Sequence, residues 1–149
     1  MAPYVDAGRP LIGLYGGVGS IGVCLGERSA GVTVVDCVEE VIAHASHNLR
    51  THGLSSSRAA LGRAERLLEE IKGDATLIVD PPRTGLHPDV TQRILSERPP
   101  RVLYLSCNVL TQARDYAALS SAYAVRDLVL YNFFPRTPHI ESLLILERR

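Results

Sequence analysis

The chain has 149 residues, enough for one domain with a buried core. At 46% apolar and 21% charged it has the composition of a soluble globular protein, and no apolar run nears the roughly 18 residues of a membrane span. Its formal net charge is zero, carried by fifteen Arg and one Lys on the basic side. That balance argues against strong autonomous nucleic-acid binding while leaving room for a local arginine patch. Three cysteines without paired spacing argue against a disulfide framework and for a reducing cytoplasm. No Cys/His spacing suits zinc, so no metal is expected. The opening Met1-Ala-Pro-Tyr-Val-Asp has neither the basic nor the apolar region of a signal peptide.

In chain order, Leu11–Tyr15 reads as a first strand, followed by a glycine turn and a short helix to about Glu27. Val32–Asp36 reads as a second strand. Glu39–His52 has helical spacing at Val41, Ile42, Ala45 and Leu49, with Gly53 as a C-terminal stop. Arg58–Leu61 is a short third strand, and Ala64–Ile71 an amphipathic helix with Leu67, Leu68 and Ile71 inward. Thr76–Asp80 is strand four and Pro88–Ser96 the helix after it. Arg101–Leu105 is strand five and Leu110–Leu119 the next helix. Tyr123–Tyr131 and Ser142–Glu147 close the sheet as a hairpin-like pair. Alternating strands and helices predict a doubly wound α/β domain with a mostly parallel sheet. The first strand lies close to the start of the chain, so the expectation is a single catalytic domain cut from something larger, or a reduced relative.

Gly17-Val18-Gly19-Ser20-Ile21-Gly22 matches G-x-G-x-x-G between a strand and a helix, and Asp36 ends strand two nineteen residues after Gly17. Glycines let backbone approach a ligand, and the carboxylate can accept from ribose hydroxyls. A dinucleotide and S-adenosyl-L-methionine (SAM) both carry that ribose. By itself the motif does not choose between them, and a tight turn without a ligand is a third reading.

Three further features lie at strand ends, where open α/β folds build their sites. Asp80-Pro81-Pro82-Arg83 puts a carboxylate and a guanidinium on a turn stiffened by two prolines. Cys107 follows strand five, between Ser106 and Asn108, at a helix entrance where aligned amides favour negative charge. Cys24 and Cys37 have no such setting and read as structural. Glu141 precedes the last strand; if that strand runs antiparallel, Glu141 shares an edge with Asp80 and Cys107. His139 reads as a structural hydrogen-bonding residue, and Arg114-Asp115 as a pair on a helix surface or cap.

Together these blocks resemble the catalytic domain of the RNA uridine-C5 (5-methyluridine) methyltransferases, from about Leu11 to Leu146. The resemblance is carried by Leu14-Tyr15-Gly16-Gly17-Val18-Gly19, by Asp36 with Ala45 and Asn48, and by Asp80-Pro81-Pro82-Arg83-Thr84-Gly85-Leu86. Tyr104-Leu105-Ser106-Cys107-Asn108, Thr111, Ala113-Arg114-Asp115, Phe134-Pro135, Thr137 and His139-Ile140-Glu141 complete it. It implies a Rossmann-like class I SAM-dependent domain acting on a uridine of tRNA or rRNA. Cys107 would add to C6 of the base and Glu141 would remove the C5 proton. Tyr15, Gly17, Gly19, Asp36 and Asp80 would hold SAM, and Asp80, Arg83 and Asn108 the uracil, which must be unpaired or flipped out. The chain departs from the family at Gly13, where an acid is usual, and at Gly16, Val109 and Asn132, where cysteine, proline and an acid are usual. The family's N-terminal RNA-binding region has no counterpart here, so an additional RNA-binding domain or partner is expected. Two other readings are a degenerate methyltransferase-like binding module and an NAD-dependent oxidoreductase. The latter leaves Cys107 and Glu141 unexplained.

Overall fold

The computed structural model describes residues 1–149 and builds them around a seven-stranded sheet. Its strands are β1 Pro10–Leu14, β2 Gly31–Asp36, β3 Arg58–Leu61, β4 Thr76–Val79, β5 Arg101–Ser106, β6 Tyr123–Tyr131 and β7 Glu141–Arg148. The helices are α1 Ser20–Gly26, α2 Glu39–Thr51, α3 Pro88–Glu97 and α4 Val109–Leu119. Spatial order is β3-β2-β1-β4-β5-β7-β6, with β1 to β5 parallel and β7 antiparallel to both its neighbours. This is the doubly wound α/β fold that the alternating pattern predicts, antiparallel closing pair included.

Local sequence accounts for the elements. The Thr-Leu-Ile-Val of β4 is buried at every residue because it runs mid-sheet between helical layers. Helix α2 turns Ile42, Ala45 and Leu49 inward. It stops in a Schellman motif: Gly53 takes φ 71°, its N–H donates to Arg50 O, and Leu54 N–H reaches back to Leu49 O. Pro88 opens α3, and the preceding His87 accepts from Asp89 N–H on its side chain. On one face of the sheet Val90, Ile94 and Leu119 pack on Leu77, Val102 and Tyr104. On the other Leu25, Ile42, Ala45 and Leu49 pack on Leu11, Val34, Ile78 and Leu103.

The expected helix over Ala64–Ile71 does not form. Two 3-10 turns, Ala64–Arg66 and Leu68–Glu70, are broken at Leu67 (φ −117°, ψ 43°). This segment carries the chain from edge strand β3 past β2 and β1 to β4, three strand spacings or about 14 Å. A 3-10 turn advances about 2.0 Å per residue against about 1.5 Å for an α-helix, so it spans the gap with fewer residues. Ile71 is still fully buried, with Leu67 and Leu68 packed at the margin of the core.

The chain leaves β1 towards β2 but leaves β4 towards β5, so a crevice opens at the C-terminal ends of this adjacent pair. Leu14 pairs with Val79. The next residues, Tyr15 and Asp80, therefore stand side by side at the crevice.

Candidate active site

Tyr15 is the first residue past β1 rather than its last, in the left-handed region at φ 56°. A bulky residue there stores strain, which clusters at functional sites. Two cavities meet at Tyr15 and Asp80. The larger, of about 1130 Å³, is lined also by Asp36, Leu86 and Asp115. The smaller, of about 260 Å³, runs under Gly13 and the Gly16–Gly19 turn. Their combined size suits a ligand as large as an adenosyl amino acid. Each residue expected at a cofactor site (Tyr15, Gly17, Gly19, Asp36 and Asp80) lines one cavity or both.

Asp36 accepts from Gly17 N–H at 3.0 Å and from Val38 N–H at 3.1 Å. Those bonds fix the glycine turn and leave lone pairs on the carboxylate for ribose hydroxyls. Gly19, at φ 79°, caps α1 where an added Cβ would lie 3.5 Å from both Ala45 and Val34. The same geometry disfavours a dinucleotide. The Gly17 amide that would face a pyrophosphate is already bonded to a carboxylate, and α1 has only seven residues. Asp36 is bonded to the turn and Asp80 is the one charged residue lining the smaller cavity, so this part of the crevice suits a cationic sulfonium and ammonium rather than phosphates.

Beyond Asp80 lie Cys107 and Glu141. Ser106 pairs with Ser142 at the end of the antiparallel β5–β7 ladder. Cys107 directly follows one and Glu141 directly precedes the other. Continuing that register sets them opposite each other, at about 5 Å between Cα atoms. Cys107 is half-buried with a free thiol. Glu141 is near enough for its charge to act on Asp80. The Asp80 carboxyl is reachable from the crevice but walled on several sides; that desolvation, and then the Glu141 charge, raise its pKa above the ordinary range. Burial pushes the Tyr15 phenol to about 12, against the pull of the His87 backbone.

The turn from Asp80 to Leu86 is clamped to α4. Asn108 Nδ2 and Thr111 Oγ1 donate to Arg83 O at 3.1 and 3.2 Å, and Arg114 donates to Thr84 O at 2.8 Å. Asp115 accepts from Leu86 N–H at 2.7 Å and from Tyr104 OH at 2.7 Å, and is paired with Arg114 at 2.7 Å. Asn108 also caps α4 by accepting from Leu110 N–H at 3.1 Å. One of its amide hydrogens and one oxygen lone pair remain for a ligand. Arg114-Asp115 is thus not a helix-surface pair: Asp115 is 5% exposed and binds the site's turn to β5 and α4. Sequence reasoning missed this bracket. Its signal was an inward helical stripe reading Gln112, Asp115, Leu119, with an acid where a core residue belongs. Gln112 likewise ties the strand ends together, donating to Tyr104 O at 2.9 Å and accepting from Ser142 Oγ at 2.7 Å.

Arg83 donates to His139 Nδ1 at 3.0 Å, linking the proline turn to the segment before Glu141. No group of three or more His, Cys, Asp or Glu side chains has metal-binding geometry. No helix is long and apolar enough to cross a membrane.

Residues 66–149 match the family model described as tRNA (Uracil-5-)-methyltransferase. A 23S rRNA (uracil(747)-C(5))-methyltransferase of Pyrococcus abyssi is 41% identical over 143 residues, covering 95% of this chain and 34% of that protein. An uncharacterized RNA methyltransferase of Bacillus cereus is 35% identical over 152 residues, covering 99% of this chain and 33% of its own. The crystal structure of Pyrococcus abyssi tRNA (uracil-54, C5)-methyltransferase in complex with S-adenosyl-L-homocysteine superposes with a TM-score of 0.87 at 34% identity. It covers 97% of this chain and 36% of that one. The chain therefore spans about a third of the length of the curated relatives it matches.

Proposed function

The chain belongs to the tRNA (uracil-5-)-methyltransferase family, and we propose that it is a catalytic domain that methylates C5 of a uridine in tRNA or rRNA. The observation that carries this reading is the placement of Cys107 and Glu141 at adjoining ends of β5 and β7, across Asp80 from an acidic crevice. SAM, when bound, supplies an electrophilic methyl group.

Tyr15, the glycine turn at Gly17 and Gly19, and Asp36 hold the cofactor, and Asp80 offers a carboxylate to its cationic end. The Cys107 thiolate adds to C6 of uracil; the C5–C6 π pair moves onto C5 and the O4 carbonyl, making C5 nucleophilic. Asp80, Arg83 and Asn108 hold the polar edge of the base during this step. After C5 has gained the methyl group, Glu141 takes the C5 proton, the C6–S bond breaks, and the double bond and thiolate return. Most RNA affinity beyond the target base comes from a further domain or partner. The three free cysteines suit a reducing cytoplasm.

The test uses RNA bearing 5-fluorouridine, whose fluorine cannot leave as a proton does. With SAM present the wild-type chain accumulates a denaturation-resistant complex, and Cys107→Ala does not. Glu141→Gln accumulates the same adduct on ordinary uridine. A persistent complex without Cys107, or full turnover without Glu141, overturns the assignment.

A further inference from the structure

The segment joining β6 to β7 forms a rim beside the Asp80–Leu86 turn, joined to it by the Arg83–His139 hydrogen bond, and the chemistry above uses only its end. The chain has two Phe in all, and both are exposed here: Phe133 by 65% and Phe134 by 51%. Phe133 is also held in place. Its ring lies on Tyr131 with centroids 5.3 Å apart and planes 5° from parallel. Tyr131 takes one face, and the residue's high exposure leaves the rest of the ring to solvent.

The rim is cationic in a chain of zero net charge. From Tyr131 to Ile140 there is no acidic residue, while Arg136 and His139 are present and Arg83 joins them through His139. Phe134–Thr137 is a β-turn, closed by Thr137 N–H donating to Phe134 O at 3.2 Å and by Thr137 Oγ1 donating to the same oxygen at 2.8 Å. Pro135 fills its second position. Arg136 fills the third at φ 70°, the place in a type II turn that favours glycine. Local folding does not ask for arginine there.

We propose that this rim is a nucleotide-docking platform: an unpaired base adjoining the target uridine stacks on the open face of Phe133, beside Phe134, while Arg136 pairs with the neighbouring phosphate. The inference rests on the RNA-methyltransferase reading and names a contact that reading does not require. A uridine offered to Cys107 must leave its stack, which strips its neighbour of a stacking partner. A fixed aromatic face takes any base, and an adjacent arginine supplies the counter-charge. A protein partner fits less well, because cations and the polar Thr137 and His139 frame the two rings.

The test is a short single-stranded RNA with 2-aminopurine next to one uridine, titrated into the wild-type chain and its variants with SAM present. Stacking quenches the 2-aminopurine on wild type. Phe133→Ala loses the quench and weakens binding roughly tenfold or more, as expected for one aromatic–base stack, and Phe133→Tyr restores both. Arg136→Gly leaves the melting temperature unchanged or higher, yet weakens binding and lowers the salt slope by about one. SAM affinity is the same throughout. No quench on wild type, as for a rim that docks protein, overturns the proposal, as does an unchanged quench in Phe133→Ala. Covalent capture of 5-fluorouridine RNA is read in parallel. Capture without quenching removes the platform and leaves the methyltransferase reading; loss of SAM binding and capture together removes the reading itself.

Discussion

Replacing Asp115 tests whether the bracket behind the proline turn holds this fold and site together. One carboxylate, 5% exposed, accepts from Leu86 N–H, from the fully buried Tyr104 hydroxyl and from Arg114. Asp115→Ala strands the first two donors, at about 1–3 kcal/mol each. The Arg114 pair adds less, because that side chain is 59% exposed and solvent screens it. The expected loss is therefore about 3–5 kcal/mol, a large share of the roughly 5–15 kcal/mol that stabilises a domain. In a chain of this length it lowers the melting temperature by roughly 6–20 °C. Tyr104→Phe alone costs about 1 kcal/mol, and the double variant loses clearly less than the sum, because the hydroxyl that Asp115→Ala strands is then absent. Urea and thermal unfolding of the four proteins measure the cycle, with SAM titration reporting the crevice. A loss below about 1 kcal/mol for Asp115→Ala, or strictly additive losses, refutes the argument that one carboxylate satisfies both buried donors.

Further outcomes follow from single contacts. Gly85 sits at φ 82°, where an added Cβ would collide with the Asp115 carboxylate and lie 2.6 Å from Arg114 Nη2; Gly85→Ala should cost about 2 kcal/mol or more and weaken SAM binding, read by unfolding and calorimetry. The Thr76 hydroxyl is fully buried without a hydrogen-bond partner, so Thr76→Val, equal in shape, should stabilise by about 1 kcal/mol in urea unfolding. Asp80 has a folded pKa above its unfolded one, so the native state holds the extra proton and stability falls as pH rises from about 4 through the raised value. Asp80→Asn should then melt higher than wild type near pH 7, the gap closing towards about pH 4, while losing methyl transfer. Gly13 borders the smaller cavity with no atom nearer its Cβ position than Thr33 O at 3.9 Å, so Gly13→Asp should fold normally and bind SAM several-fold more tightly by adding a carboxylate to an acidic crevice.

What the sequence made legible were features that one period or one spacing encodes. Strand alternation and helical spacing placed every strand and every α-helix found here, G-x-G-x-x-G placed the smaller ligand space, and Asp36 placed one wall of the larger. Two things it did not carry depended on distance in space. The Ala64–Ile71 pattern is helical by composition, but the route from edge strand to mid-sheet decides its conformation. Asp115 reads as solvated by residue type; only the return of the Asp80–Leu86 turn against α4 gives it two buried donors.

That turn also explains why a site built on strand ends can be exact. A loop alone holds a carboxylate loosely, and a loose group loses the benefit of orientation. Here Asn108, Thr111, Arg114 and Asp115, spaced along the first two turns of one helix, make four hydrogen bonds to three backbone groups of the Arg83–Leu86 segment. The same helix begins two residues after Cys107. A shift of α4 would therefore move the thiol and the Arg83–Leu86 turn together, so their mutual spacing survives small motions of the crevice. Glu141 is held separately, through β7 and the Gln112–Ser142 bond. Gln112 belongs to α4 as well, which makes this helix the common frame for Cys107, the Arg83–Leu86 turn and Glu141.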